Sequence, residues 1–115
     1  MPSVFTHFAT SRFIDSDAVV AQLRSCSAEL KSRHKEIEKI LLFGSFAKGT
    51  ATPRSDADVA LQLRGTTHEK RNQLLDSARQ VFANAPVPVD IHVISHETAS
   101  RRGLAAVVHR EGIEL

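Results

Sequence analysis

At 115 residues the chain has the size of one domain, and by area scaling it buries about two thirds of its extended surface, enough for a core without a metal or disulfide staple. Apolar residues at 42% and charged residues at 24% match ordinary globular usage and exclude disorder, collagen and coiled coil. A net charge of +2, no Trp or Tyr, and no Lys/Arg run longer than two argue against direct nucleic-acid binding.

Residues 1–14 hold Phe5, Phe8 and Phe13 and read as an N-terminal extension that covers the core or meets a partner. The domain proper is expected over 15–115. Residues 16–34 predict a helix capped by Asp15 or Ser16, with Val19, Leu23, Cys26 and Leu30 stepping by four, three and four along one stripe. Ile40–Phe43 predicts a short buried strand that ends at Gly44, and residues 44–55 are rich in turn formers. Ala57–Leu63 alternates: Ala57, Val59, Leu61 and Leu63 share one face, and Asp56, Asp58, Ala60 and Gln62 the other. Thr66-Thr67-His68-Glu69 fits a capping box ahead of a helix carrying Leu74, Leu75, Ala78, Val81 and Phe82. Val87–Ile94 alternates again, with Asp90, His92 and Ile94 on one side. Ser95 caps an expected last helix over about 97–109, Gly112 stops it, and Ile113–Leu115 adds an edge strand. Helices alternating with strands predict a layered α/β (α+β) domain.

The chemistry lies in the carboxylates. Asp56 and Asp58, two apart on a strand, project from one face with Cα atoms about 6.5–7 Å apart. Like charges that close repel, and a cation between them relieves the repulsion. Oxygen donors with a few waters suit Mg²⁺. If the strand carrying Asp90 neighbours the first, three carboxylates share one face. They can then hold two metal ions about 3.5–4 Å apart, as in-line phosphoryl or nucleotidyl transfer requires, and Asp90 can accept the proton of an attacking hydroxyl.

The second element is Gly44-Ser45, directly after the buried strand. Glycine lets a backbone approach a phosphate closely, N–H groups of the following turn can face an anion, and Ser45 adds a hydroxyl. Lys48 stands one turn on, Gly49 can end the turn, and Ser55 precedes the aspartates; Gly44, Ser45, Lys48, Gly49 and Ser55 form the candidate nucleotide-binding set. Each part alone fits an ordinary turn or a solvated strand end. Gly-Ser, ten residues, then Asp-x-Asp arises by chance about once in a thousand chains of this composition, so the combination carries the reading.

These residues resemble the core motif of the DNA polymerase beta nucleotidyltransferase superfamily, in the segment LLFGSFAKGTATPRSDADVAL, with Asp90 of VDIHVI as the third carboxylate and EGIEL as the closing strand. The short chain resembles the minimal branch over about residues 16–115. The resemblance implies a mixed sheet flanked by helices, with Gly44 and Ser45 on a triphosphate and Asp56, Asp58 and Asp90 on two Mg²⁺. It implies attack of an acceptor hydroxyl on the α-phosphate of ATP with release of pyrophosphate. Minimal members commonly pair with a helical HEPN protein, which implies an antitoxin that transfers AMP to a tyrosine of a HEPN-type toxin. Two positions depart from the pattern: Phe46 stands where basic residues are frequent, and Ala60 replaces a larger aliphatic on the carboxylate face, where it leaves room for a ligand.

The rival readings are a binding-only antitoxin with a vestigial triphosphate site, and a subunit of a small-molecule nucleotidyltransferase. A homodimer or hetero-oligomer remains open. The six histidines lack zinc-binding spacing; His92 alone shares a face with Asp90, and its ordinary reading is a partly exposed strand histidine. Cys26 reads as core. Ser45 has no base beside it in sequence, against a serine hydrolase. Arg101-Arg102 and Arg110 read as a solvated helix face. The single cysteine points to a reducing cytoplasm, and no apolar run is long enough to span a membrane or to follow a basic start as a signal peptide.

Overall fold

The computed structural model describes residues 15–95 and 103–115. Phe5, Phe8, Phe13, Arg101, Arg102 and the expected start of the last helix at 97 lie outside the described residues. Helix α1 (Ser16–Arg33) is capped by Asp15, whose carboxylate accepts the Ala18 N–H at 3.1 Å. Its inner stripe buries Val19, Leu23 and Leu30 completely, and Ser27 with them. Cys26 sits beside that stripe, half-buried against the core rather than inside it. Burial pushes its thiol pKa up, and the Glu29 charge adds to this.

Strand β1 (Ile37–Phe43) begins three residues before the apolar run predicts. Glu38 and Lys39 break the hydrophobic signal, and the register shifts between Ile37 and Lys39. Glu38 nevertheless has partners across the sheet: the Gln62 amide donates to it, and Arg64 Nε stands 3.4 Å from its second oxygen. A one-turn helix α2 (Ser45–Lys48) follows Gly44. Strand β2 (Ala57–Leu63) has the expected bounds. Helix α3 (His68–Phe82) is capped by Thr67, which accepts the Lys70 N–H at 3.2 Å, so the cap lies one residue beyond the Thr66 that the capping-box pattern indicates. Strand β3 (Val89–Ser95) starts two residues later than expected. Pro88 has no N–H to give a ladder, but its carbonyl accepts the Ala57 N–H at 2.9 Å. Ser95 ends β3, and helix α4 (Leu104–Glu111) follows Gly103; the expected cap at Ser95 concerns residues outside the described ones. Strand β4 (Ile113–Glu114) closes the chain's last turn.

The four strands form one mixed sheet in the order β3-β2-β1-β4. β1 runs antiparallel to β2 and β4, and β2 runs parallel to β3, with α3 as the crossover that a parallel pair requires. One face packs Ile40, Leu42, Val59 and Leu61 against Val19, Leu23 and Leu30 of α1 and Leu74, Ala78 and Phe82 of α3. Each fully buried Val, Leu, Ile or Phe among them contributes about 1.5–3 kcal/mol of transfer free energy. The opposite face packs Leu41, Phe43, Ala60 and Ile94 under Ala105 and Val108 of α4. Helix α4 is also pinned by its His109, whose Nε2 lies 2.8 Å from Gln62 Oε1. The buried Gln62 thereby satisfies both ends of its amide. Among the described residues, no helix is long and apolar enough to cross a membrane. This is the layered α/β domain that the sequence pattern predicts, with the mixed sheet flanked by helices that the family resemblance implies.

Candidate active site

The site is built where the end of β1 meets the starts of β2 and β3. Phe43, the last residue of β1, stands opposite Asp58, and Asp58 stands directly opposite Asp90 on β3. One step further along, Ala60 faces His92. The condition set by the sequence is met: Asp90's strand does neighbour that of Asp58, and direct register brings both carboxylates to the sheet face that α4 only partly covers.

Directly after Phe43 the chain turns at Gly44, with φ 76° and ψ −152°. That region is open to glycine and costly for other residues. A second reason is contact: a Cβ at Gly44 would collide with Asp58 Oδ2 and come within 3.3 Å of Asp58 Cγ. The glycine therefore lets the chain pass directly over the Asp58 carboxylate. Helix α2 then closes with Lys48 N–H on the Gly44 carbonyl at 3.0 Å and Thr50 N–H on the Ser45 carbonyl at 3.0 Å, and Gly49, left-handed at φ 75°, ends it. The leading N–H groups of such a turn have no acceptor within it. Phe46, where a basic residue is frequent in the pattern, points the other way: it is buried in the core beneath the sheet and anchors the turn.

Asp58, His92 and Asp90 each place one ligand-type atom within 4.8 Å of the others. His92 Nε2 lies 3.4 Å from Asp90 Oδ2 and 4.0 Å from Asp58 Oδ1. The His92 ring rests on Phe43, centroids 5.3 Å apart and planes at 60°. The Asp58 side chain is 32% exposed and that of Asp90 65%. Burial raises the Asp58 carboxyl pKa from its ordinary value; His92 works against this, and the charges of Asp90 and Asp56 reinforce it. The ionised pair is thus short of positive charge, and hard oxygen donors so placed fit a divalent cation.

The remaining sequence candidates divide. Asp56 is exposed, precedes β2, and stands outside the Asp58–Asp90–His92 group, although near enough for its charge to act on Asp58. Lys48 is drawn sideways into an ion pair with Glu111 at the end of α4, at 3.4 Å. Ser55 ties the loop: its hydroxyl accepts the Thr52 N–H at 2.8 Å, and its own N–H bonds the Thr52 carbonyl at 3.0 Å. Ala60 leaves no room for a ligand, because it is fully buried in the cluster under α4. His92 was readable from its i, i+2 spacing to Asp90; Glu111 had no sequence signal, since only the fold brings it to Lys48.

A family model described as "Nucleotidyltransferase domain" matches residues 23–111. The chain belongs to this nucleotidyltransferase domain family. No curated protein matches it significantly. Among solved structures it is similar to a candidate nucleotidyltransferase from Sulfolobus solfataricus, with TM-score 0.64 and 16% identity over 86% of this chain and 80% of that one. It is also similar to CdnC of E. coli MS115-1 with ATP, with TM-score 0.53 and 23% identity over 87% of this chain and 41% of that one. A weaker likeness, TM-score 0.46 and 18% identity over 88% of this chain and 72% of that one, is to a toxin–antitoxin with AMP-PNP. At these identities the likeness is one of fold.

Proposed function

We propose that this nucleotidyltransferase transfers AMP from ATP to a hydroxyl, a tyrosine of a partner HEPN-type toxin, and acts as that toxin's antitoxin. The observation that carries the transferase chemistry is the direct pairing of Asp58 with Asp90 beneath the Gly44 turn. The resemblance in the Gly44-Ser45 to Asp58 segment supports the AMP donor and the toxin partner. The exposure of Asp90 suits an acceptor presented on another protein, since a large partner can reach this carboxylate without entering a closed cavity.

In this reading Asp58 and Asp90, with Asp56 at the strand entrance, are the residues that would hold Mg²⁺, which when bound would supply positive charge to the triphosphate and lower the pKa of the acceptor hydroxyl. Gly44 and Ser45 seat the triphosphate by backbone N–H groups and the serine hydroxyl, and Lys48 and Gly49 flank it. Asp90, the more exposed carboxylate, takes the acceptor proton. The acceptor oxygen bonds to the α-phosphorus, the bond to the β-phosphate oxygen breaks, and pyrophosphate leaves; Asp90's proton passes on to water.

The test is ATP labelled at the α-phosphate, incubated with Mg²⁺, this protein and whatever helical partner co-purifies with it or is encoded beside it. Label on the partner that vanishes with Asp58→Asn establishes the transferase. A tight complex that never takes label reduces the protein to a binding-only antitoxin, and label on a metabolite makes it a small-molecule transferase.

A further inference from the structure

We infer that His92 is a direct metal ligand, so that the site is a mixed nitrogen–oxygen centre with a preference for a first-row transition ion over Mg²⁺. The inference rests on the metal-dependent reading above and adds to it the identity of the donor set. Three observations carry it.

The first is placement. In the parallel register of β2 and β3, Asp58 faces Asp90 and Ala60 faces His92. All four lie on one sheet face, and the residue opposite the imidazole is an alanine, with no bulk to separate the ring from Asp58. The second is orientation. Phe43, opposite Asp58 on the other side, packs against the imidazole at 5.3 Å between centroids. That contact restricts the ring while Nε2 faces both carboxylates. The third is spacing. Around one ion with bonds of about 2.1 Å, ligand atoms stand roughly 3.0–3.5 Å apart. The Nε2 separations of 3.4 Å and 4.0 Å come within about half an ångström of that, and all three donor atoms lie inside 4.8 Å. Small side-chain rotations complete the centre. Asp56 lies outside this group, so the imidazole is the donor that the fold has already gathered beside the two carboxylates.

Donor chemistry then sets the cation. Two carboxylates alone suit Mg²⁺, whereas imidazole nitrogen adds affinity for ions from Mn²⁺ upward in the divalent series and little for Mg²⁺. The sequence offers half of this, His92 on one face with Asp90; Asp58 joins them only through the pairing of two strands joined by a long crossover.

Mn²⁺ is the probe, with the full 115-residue protein. Loss of the free-ion EPR signal measures binding, and pulsed EPR detects ¹⁴N coupling from a directly bound imidazole. The expected result is ¹⁴N coupling in the wild type that disappears in His92→Gln. Mn²⁺ binding weakens by about tenfold or more in that variant, while Mg²⁺ binding, read by competition, changes less than about twofold. Mn²⁺ bound to the wild type without ¹⁴N coupling overturns the inference and leaves the carboxylate site standing. Coupling that persists in His92→Gln assigns the nitrogen to another residue and also overturns it. No Mn²⁺ binding at all removes both the inference and the metal-dependent reading beneath it.

Discussion

The most constrained residue in the site is Gly44, which has two independent demands on it: positive φ, and no Cβ where Asp58 Oδ2 lies. The sequence suggested glycine for phosphate approach; the structure adds that glycine makes room for a carboxylate. Gly44→Ala is expected to lower stability by about 1–3 kcal/mol through backbone strain alone and to abolish divalent-cation binding by displacing Asp58. Thermal melts and Mn²⁺ titration read the two effects separately. Full cation binding in this variant would show that the contact is not needed. Asp58 behaves in the opposite sense. Its folded pKa is raised, mainly by burial, so the native state holds the proton more tightly than the unfolded chain. Its charge therefore disfavours folding once pH exceeds the ordinary carboxylate value, and fully so above the raised folded one. In EDTA, Asp58→Asn is expected to raise the melting temperature by a few degrees at neutral pH. The gain shrinks as pH falls through the folded pKa toward the ordinary value, because the wild type then becomes neutral too. A gain independent of pH would assign the effect to packing.

At the scale of elements, the turn at the candidate site is held from both sides. Phe46 plugs it into the core below, and Lys48 reaches Glu111 of α4 above. The ion pair is half exposed, so its effect on stability is small, at most about 1 kcal/mol. Its larger effect is on where the lysine ammonium sits. Glu111→Gln is expected to leave the melting temperature nearly unchanged and to tighten binding of a non-hydrolysable ATP analogue at low salt, whereas Lys48→Ala weakens it. An unchanged affinity in both variants would take Lys48 off the triphosphate. This pair also shows what was legible in the sequence. Elements with a clean period, such as β2, and with a good cap, such as Asp15 on α1, were readable to within a residue or two. The Asp58–Asp90 meeting was readable as a condition, since alternation sets the face but not the neighbour. Charged residues in β1 hid its first turn of the ladder, because Glu38 finds Gln62 and Arg64 only across the sheet. Ala60 misled for the same reason: its space is filled by α4, an element remote in sequence.

For the whole molecule, the two faces of the sheet do different jobs. Helices α1 and α3 bury one face in a continuous apolar core, and α4 covers only part of the other, leaving Asp58, Asp90 and His92 at its margin. The carboxylates are thus anchored in strands whose opposite sides are packed, so the described site is formed before any ligand arrives. Binding to a preformed site stabilises the native state by mass action alone: a cation–nucleotide complex at a hundred times its dissociation constant adds about 2.7 kcal/mol. The denaturant slope should then stay the same, because it tracks the surface exposed on unfolding. Urea titrations with and without Mn²⁺ and the ATP analogue are expected to show parallel transitions with a higher midpoint for the wild type and no shift for Asp58→Asn. A steeper transition with ligand would mean that binding orders further surface, and the site would then be assembled by its ligand instead of by the sheet.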